Sequence, residues 1–282
     1  MEKIYSGKVA VITGAAGVIC SQIACDLSKR GAFVVLVDLI LENAEKVADE
    51  ISANSGKCKC YACDVTDKAM VDALADKVIS NHGRCDILIN GAGGNNAKAQ
   101  PKITEFDPRE FEESRPDDIV GIYNIDMTAF EGIVKLNTMG TVYPLLAFAK
   151  YMIKQGGGNI INFASMNTYC PLTRNFAYAM AKAAVSNFTQ SFAAYFAKCN
   201  IRINAIAPGF ILNPRSKLIL GTVEEGLTQR GKDVIDHTPM GKFGSANDIC
   251  GCVRWLIDDE AAGFVTGITV PVDGGFLTLS GV

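Results

Sequence analysis

The chain has 282 residues, of which 49% are hydrophobic and 20% are charged. This length suits one large domain or two small ones, and the composition excludes disorder as the dominant state. Lys and Arg number 27 against 30 Asp and Glu, which gives a net charge of -3, and no run of five basic residues occurs. We therefore expect neither a nucleic-acid partner nor a membrane surface as partner.

We also expect a cytoplasmic protein. No stretch approaches the roughly 18 uninterrupted apolar residues that cross a bilayer. The segment from Met1 to Gly14 passes directly into an apolar run and a glycine turn, without the pattern of a secretion signal. The ten Cys, spread from Cys20 to Cys252, are then expected to be free thiols.

Short apolar runs alternate with segments of helical periodicity. Runs at 9–12 and 33–37 suit strands buried on both faces, and each is followed by a helix. Further strands are predicted near 58–62, 87–90, 159–164, 202–206 and 268–272. Helices are predicted over 68–81, with Thr66 as N-cap, and over 132–154, 176–198 and 246–257. This alternation predicts an α/β fold over 1–282: a single Rossmann-type domain with a doubly wound parallel sheet and helices on both faces.

Two segments interrupt the alternation. Residues 94–126 contain three prolines and an acidic patch at 105–118, and we interpret them as an excursion whose acidic patch faces outward. Residues 210–244 form a long loop-rich span, which inside a compact domain usually serves as a substrate loop or lid.

The first strand is followed by Thr13-Gly-Ala-Ala-Gly-Val-Ile-Cys20. Glycine in such a turn lets the backbone approach a pyrophosphate at the helix start, although a turn that needs glycine only for packing is the alternative. Asp38 ends the second strand, 24 residues past Gly14, where a carboxylate binds an adenosine ribose and repels a 2'-phosphate. This arrangement favours NAD over NADP as the cofactor.

Ser165, Tyr178 and Lys182 form the most specific pattern. Tyr178 and Lys182 are four residues apart, so they share one helix face, and Ser165 closes the preceding strand. A Lys ammonium about 4 Å from a phenol favours the phenolate by roughly 4 kcal/mol before desolvation is subtracted. Tyr178 is then expected to exchange a proton with a carbonyl or alcohol oxygen that the Ser165 hydroxyl also binds.

Motifs along nearly the whole chain then complete one pattern. They are Thr13-Gly14, Asp64-Val65, Asn90-Gly-Ala-Gly93, Asn137, Ser165, Tyr178-x-x-x-Lys182, Pro208-Gly209 and Val272-Asp-Gly-Gly275. Together they resemble the short-chain dehydrogenase/reductase family. The resemblance implies bound NAD, a homotetramer, Tyr178 as general acid/base, Lys182 as its pKa modulator and ribose anchor, Ser165 as substrate-oxygen donor and Asn137 as holder of a relay water. The implied cofactor-binding residues are Gly14, Ala16, Gly17, Val18, Ile19, Asp38, Asp64, Val65, Asn90, Gly91, Ala92, Tyr178, Lys182, Pro208, Gly209 and Ile211.

The chain departs from the usual family pattern in its nucleotide turn. Val18 and Cys20 stand where glycines are usual, and we expect Val18 to alter the approach to the pyrophosphate because valine avoids positive φ. Gly91 replaces a second Asn, and Asn213 stands where a Thr often contacts the nicotinamide. These departures leave open a dinucleotide-binding regulatory protein that has lost catalysis.

The Gly-Val-x-Cys turn resembles one branch of the family, the D-mannonate oxidoreductases or fructuronate reductases. That branch implies hydride transfer between NADH and the C5 ketone of D-fructuronate, a small sugar-acid substrate. A related keto-gluconate or polyol dehydrogenase is the alternative. The candidate substrate residues are Asn95, Asn96, Asn167 and Arg174, with Lys98 and Arg215 as further candidates for the substrate carboxylate.

Two other signals favour ordinary packing. Cys58, Cys60 and Cys63 have metal-like spacing, but they coincide with a predicted strand and no second cluster completes a zinc site, so we expect no metal. His237 lies in the substrate loop, and direct contact with substrate is the less favoured of its interpretations.

Overall fold

The computed structural model describes residues 3–222 and 226–279 and the side chains within them, except that of Arg215. A seven-stranded parallel sheet has the order β3-β2-β1-β4-β5-β6-β9. The strands are β1 Val9–Thr13, β2 Phe33–Asp38, β3 Lys57–Ala62, β4 Ile87–Asn90, β5 Gly158–Phe163, β6 Ile201–Pro208, β7 Gly221–Thr222, β8 Gly226–Leu227 and β9 Thr269–Val272, with β7 and β8 in a separate hairpin. The predicted doubly wound fold is confirmed.

Helices cover both faces of this sheet. They are α1 Val18–Lys29, α2 Leu41–Ala53, α3 Lys68–His82, α4 Met127–Gln155, α5 Phe176–Phe196, α6 Pro214–Leu220, α7 Gln229–Asp236 and α8 Ala246–Ile257. Helices α1, α2 and α8 share one hydrophobic core with Ala10 and Ile12, whereas α3, α4 and α5 share the other with Val9 and Val11. Alternate residues of β1 thus enter opposite cores, which is why the strand is a continuous apolar run.

The chain winds outward from the middle of the sheet in both directions. Strand β1 lies between β2 and β4, and Thr13 pairs with Asn90 at the carboxyl ends of β1 and β4. In sheets of this kind, ligands bind in the crevice outside these ends, where the strand order reverses. The glycine turn after β1 and the Asn90-Gly-Ala-Gly93 segment both start there.

The cap of one helix and the start of another differ from the prediction. The N-cap of α3 is Asp67, whose carboxylate accepts from the Ala69 and Met70 N–H groups, so the prediction of Thr66 as cap is wrong. Helix α4 begins five residues before position 132 because the Asp126 carboxylate caps it by accepting from the Ala129 N–H at 3.0 Å. A capping carboxylate satisfies N–H groups that the helix itself leaves free.

The two excursions contain short local structure. Residues 94–126 include three single turns of 3₁₀ helix, at Ala97–Ala99, Pro108–Phe111 and Ile122–Asn124. The acidic patch is mostly exposed as expected, but Glu110 is buried and its carboxylate accepts from the Asp107 and Tyr123 N–H groups at 3.4 Å. Residues 210–244 contain α6, the β7-β8 hairpin and α7.

Three further findings concern the described part of the chain. Its helices include none that is long and apolar enough to cross a membrane. All ten Cys are free thiols there. No group of three or more His, Cys, Asp or Glu side chains in residues 3–222 and 226–279 is arranged to hold a metal ion.

Candidate active site

Three side chains meet where β5 ends against the start of α5. Ser165 lies two residues beyond β5, and Tyr178 and Lys182 lie one turn apart on α5. Lys182 Nζ donates to the Phe163 carbonyl oxygen at 2.7 Å and lies 5.5 Å from the centre of the Tyr178 ring. The Ser165 hydroxyl lies near enough to the Tyr178 phenol to act on its pKa. The structure thus brings the three predicted catalytic side chains together.

Burial dominates the ionisation of Tyr178 and Lys182. It raises the pKa of the Tyr178 phenol, against the lowering effect of the Ser165 hydroxyl, and it lowers the pKa of Lys182 to about 8. In this structure desolvation outweighs the effects that lower the pKa of the phenol, and the Lys182 ammonium donates to the Phe163 carbonyl oxygen, so the role of Lys182 as modulator of the Tyr178 pKa stays a prediction. At neutral pH Tyr178 is therefore protonated and able to donate a proton.

Asn137 holds the segment after β4 in place. Its Nδ2 donates to the carbonyl oxygens of Gly94 and Ile133 at 2.8 Å, and its Oδ1 accepts from the Gly94 N–H at 3.2 Å. A Cβ added at Gly93 would stand 2.7 Å from this Oδ1 and 3.4 Å from Lys182 Nζ. Glycine at position 93 therefore keeps space open beside the ammonium. The role of Asn137 as holder of a relay water stays a prediction.

One glycine in the turn between β1 and α1 has a left-handed backbone conformation. Gly14 has φ 61°, and a Cβ there would lie 2.7 Å from the Ala92 Cα. Gly17 is the N-cap of α1 with φ -64°, and Val18 is the first helical residue, 41% exposed. The expectation that Val18 disturbs the turn by avoiding positive φ is therefore wrong, because position 18 is helical.

Cys20 and Gly91, which both differ from the usual family pattern, lie against each other in the structure. Cys20 is buried on α1, and its Sγ lies 2.1 Å from the place that a Gly91 Cβ would take. A thiol at position 20 and a side chain at position 91 therefore compete for one volume. The two unusual residues form a single paired change in packing between α1 and the end of β4.

The start of α1 fits the pyrophosphate of a dinucleotide. Its N-cap provides no side-chain hydrogen bond, and its first turn carries no acidic residue, so its N–H groups are available to an anion. Ala16 and Ile19 lie on either side of this start. The other predicted cofactor residues lie at the ends of β3, β4 and β6 and are Asp64, Val65, Asn90, Gly91, Ala92, Pro208, Gly209 and Ile211.

Asp38 lies beside the same turn, at the end of β2. Its Oδ2 accepts from the Ala16 N–H at 3.0 Å and its Oδ1 from the Ile40 N–H at 3.3 Å. Each carboxylate oxygen has a further lone pair that could accept from a ribose hydroxyl. The Asp38 carboxylate thus connects the nucleotide turn with the end of β2, where an adenosine ribose would bind.

A pocket of about 600 Å³ opens beside Ser165 and Tyr178. Its polar lining includes the amides of Asn95, Gln100, Asn167, Asn175 and Asn213 and the cations of Lys102, Arg174 and Arg230. Among the described residues, no Asp or Glu belongs to this lining. Amides suit hydroxyl groups and cations suit an anion, so the pocket is chemically matched to a small hydroxylated acid.

The four predicted substrate residues have different positions. Asn95 and Arg174 line the pocket. Asn167 also lines it, but its Nδ2 donates to Ser165 Oγ at 3.2 Å and its Oδ1 accepts from the Leu172 N–H at 3.0 Å. Asn96 instead caps the turn Ala97–Ala99 and lines a neighbouring cavity, so the structure does not bring it into the pocket.

The remaining candidates lie away from the pocket or outside the described residues. Lys98 lines the neighbouring cavity together with Asp126. His237 packs against the Phe276 ring, with centroids 4.6 Å apart. The Arg215 side chain lies outside the described part of the chain, and so does the terminal segment 280–282.

A comparison with family models matches residues 8–219 to short chain dehydrogenases. The chain belongs to the short-chain dehydrogenase family. This dehydrogenase is 42% identical over 277 residues to an uncharacterized oxidoreductase of Haemophilus influenzae, covering 98% of the chain and 95% of the relative. It is 39% identical to the uncharacterized oxidoreductase UxuB of Bacillus subtilis over 282 residues, covering 100% of the chain and 99% of the relative.

One solved structure resembles this dehydrogenase over nearly its full length. It is a candidate D-mannonate oxidoreductase from Haemophilus influenza with bound NAD, 41% identical, with a TM-score of 0.91. The match covers 98% of the dehydrogenase and 97% of the relative. The chain is thus an oxidoreductase of this family by sequence and by fold.

Sequence reasoning did not single out Gln100, Lys102, Asn175 or Arg230, four polar residues of the pocket of the dehydrogenase. The Asn175 Oδ1 accepts from Asn95 Nδ2 at 2.8 Å and also from Gln100 Nε2. Asn175 precedes Tyr178 by three residues at the cap of α5, and that proximity could have identified it. Gln100 and Arg230 lie in the two excursions, where no periodicity fixes the path of the chain.

Proposed function

We propose that this chain is an NAD-dependent oxidoreductase that interconverts D-fructuronate and D-mannonate by hydride transfer at C5. The observation that carries the proposal is the pocket, where the Ser165 and Tyr178 hydroxyls face a lining with amides and cations and without carboxylates. A sugar acid offers hydroxyls to the amides and a carboxylate to the cations. The description of the Haemophilus relative as a candidate D-mannonate oxidoreductase with bound NAD supports it.

The chain's own residues would handle the proton of the reaction. NADH supplies the hydride when it is bound. Ser165 donates a hydrogen bond to the ketone oxygen, and Tyr178, protonated at neutral pH, gives that oxygen its proton. Lys182, whose pKa is lowered to about 8 by burial, is still mostly protonated at pH 7 and stabilises the phenolate that remains. In the opposite direction Tyr178 must first lose its proton, so reduction of the ketone is favoured at neutral pH.

The proposal extends to cofactor choice and assembly. Asp38 favours NADH over NADPH, because its carboxylate would meet a 2'-phosphate as a like charge. We also propose that the chain forms a homotetramer, as its family resemblance implies. Sedimentation measurements would test the assembly independently of activity.

Initial rates with a panel of substrates test the proposed reaction. NADH and NADPH would each be combined with D-fructuronate, 5-ketogluconate and neutral ketoses. We expect the highest kcat/KM for D-fructuronate with NADH. Preference for 5-ketogluconate or a neutral ketose would assign a related dehydrogenase instead, and the absence of D-fructuronate turnover would exclude the proposed substrate.

The variant Tyr178→Phe tests the proton donor and the regulatory alternative. It removes only the phenol hydroxyl, so we expect NADH binding to persist while turnover falls by about a hundredfold or more. Unchanged turnover would remove Tyr178 from the mechanism. NADH binding without turnover in the unaltered chain would favour the regulatory protein, but Val18 and Cys20 no longer argue for it, since α1 and Gly91 accommodate both.

A further inference from the structure

Two arginines line the substrate pocket. Arg174 precedes α5 and Arg230 lies on α7, and both line the pocket that contains Ser165 and Tyr178. Neither arginine forms an ion pair with a carboxylate among the described residues. We propose that Arg174 and Arg230 form a carboxylate subsite that selects acidic over neutral substrates, an inference that rests on the proposed function and deepens it.

The backbone of Arg174 supports a functional role for its side chain. Arg174 has φ 67°, a left-handed conformation that is unfavourable for residues other than glycine. Such strain persists where the surrounding structure imposes it, and it concentrates at ligand-binding sites. The Arg174 Nη1 donates to the Lys102 carbonyl oxygen at 3.0 Å, which orients the guanidinium and leaves its other N–H groups for a ligand.

Arg230 lies on α7, which packs closely against the end of α6. It lies next to Gly231, where an added Cβ would stand 1.9 Å from the Leu220 carbonyl oxygen. Glycine at 231 therefore lets α7 approach the end of α6, and Leu220 itself lines the pocket. The third cation of the lining, Lys102, also has one N–H group in use, because its Nζ donates to the Asp117 carbonyl oxygen at 2.7 Å.

Arg174 lies just before the N-cap of α5, four residues ahead of Tyr178, and both residues line the same pocket. An acid bound at Arg174 would therefore place a more distant carbon of the same small molecule against Ser165 and Tyr178. The amides of Asn95 and Asn175 lie in the same pocket and suit the hydroxyls between these two ends.

Matched substrates separate the effect of charge from the effect of shape. Rates with NADH would be measured for D-fructuronate, for D-fructose, which has a hydroxymethyl group in place of the carboxylate, and for D-fructose 6-phosphate and 5-ketogluconate. The variants are Arg174→Gln and Arg230→Gln, with Lys232→Gln as control because Lys232 lies on α7 but outside the pocket lining. Thermal unfolding of each variant checks the fold.

Each arginine variant should raise KM for D-fructuronate by about 10- to 100-fold, the effect of losing one charged hydrogen bond, with little change in kcat. The rates of the arginine variants with D-fructose should stay within about twofold of those of the unaltered chain. The same holds for the rates of Lys232→Gln with every substrate. Arg174→Gly should lose the same selectivity without loss of thermal stability, since glycine adopts φ 67° freely.

The outcomes distinguish this inference from the proposed function. An unchanged preference for D-fructuronate over D-fructose in Arg174→Gln and Arg230→Gln would overturn the subsite and leave the proposed reaction standing. The unaltered chain could instead turn over 5-ketogluconate and not D-fructuronate. If both arginine variants then lose the turnover of 5-ketogluconate, the result would support the subsite and reject the proposed reaction. Preference of the unaltered chain for D-fructose or D-fructose 6-phosphate would overturn the carboxylate subsite.

Discussion

The Ser165 hydroxyl has one direction in which to donate its proton. Its Oγ accepts from both the backbone N–H and the side-chain Nδ2 of Asn167, each at 3.2 Å. A hydroxyl has two lone pairs and one proton, so both lone pairs are in use and the proton is left for the Tyr178 phenol or a substrate oxygen. Asn167 is thus bonded to Ser165 in this structure, and its expected contact with substrate stays a prediction.

Replacing Asn167 by Ala should weaken catalysis through Ser165. The change frees one Ser165 lone pair, so the hydroxyl can rotate and accept from Tyr178 instead of donating to substrate. We expect kcat to fall about tenfold, a part of what loss of a donor to the reacting oxygen costs. Steady-state kinetics with the proposed substrate and NADH would measure the effect.

The control for this change is the background Ser165→Ala. There the misdirected hydroxyl is absent, so Asn167→Ala should reduce kcat by less than about twofold. A tenfold loss in both backgrounds would show that Asn167 acts on the substrate directly, as its place in the pocket lining also permits.

At the scale of elements, the packing of α1 against the loop after β4 depends on the contact between Cys20 and Gly91. Cys20 fills the volume that a side chain at Gly91 would need, and the Thr13 carbonyl oxygen lies 2.9 Å from the same place. Both elements also carry predicted cofactor residues. Their spacing therefore sets the width of the crevice in which a dinucleotide would lie.

Gly91→Ala should force these elements apart. The added methyl group meets Cys20 Sγ at 2.1 Å, so we expect a loss of about 1–3 kcal/mol in the free energy of unfolding. Urea unfolding would measure it. Adding Cys20→Gly should recover part of the loss, while Gly94→Ala, at a position with nothing within 4 Å of the added Cβ, should change stability little. Equal effects at 91 and 94 would refute the paired packing.

Prediction from sequence succeeded for elements with a clear hydrophobic pattern. The strand predicted at 87–90 and the helix predicted at 246–257 coincide with β4 and α8. In both cases the hydrophobic pattern begins and ends at the same residues as the element. The cap of α3 and the start of α4 were predicted less accurately, since Asp67 and Asp126 compete with nearby polar residues as caps. Arg230 could not be placed in the pocket because its helix lies in an excursion that only tertiary packing fixes.

At the scale of the whole molecule, thiols are distributed through the layers on both sides of the sheet. Burial raises the pKa of eight of them: Cys20, Cys25, Cys58, Cys60, Cys63, Cys85, Cys250 and Cys252. The values reach about 11 for Cys250 and about 12 for Cys20, against 9.0 for an unperturbed thiol. The unfolded chain therefore releases these protons at lower pH than the folded chain does.

This difference predicts a steep loss of stability above pH 9. Between pH 9 and 11 the native state holds more thiol protons than the unfolded state, so the free energy of unfolding falls as pH rises, by up to about 1.4 kcal/mol per pH unit for each thiol. Lys182 acts in the opposite sense between about 8 and 10.5, because its folded pKa is lowered, but it contributes a single proton.

Urea unfolding in the presence of reductant, at intervals from pH 8 to 10.5, would measure this slope. The double variant Cys250→Ala and Cys252→Ala removes two of the eight thiols from α8, so its curve should fall about a quarter less steeply, whatever its stability at pH 8. The comparison of slopes separates ionisation from lost packing, because lost packing lowers the curve equally at every pH. Parallel curves for the two proteins would show that the thiols do not control alkaline unfolding.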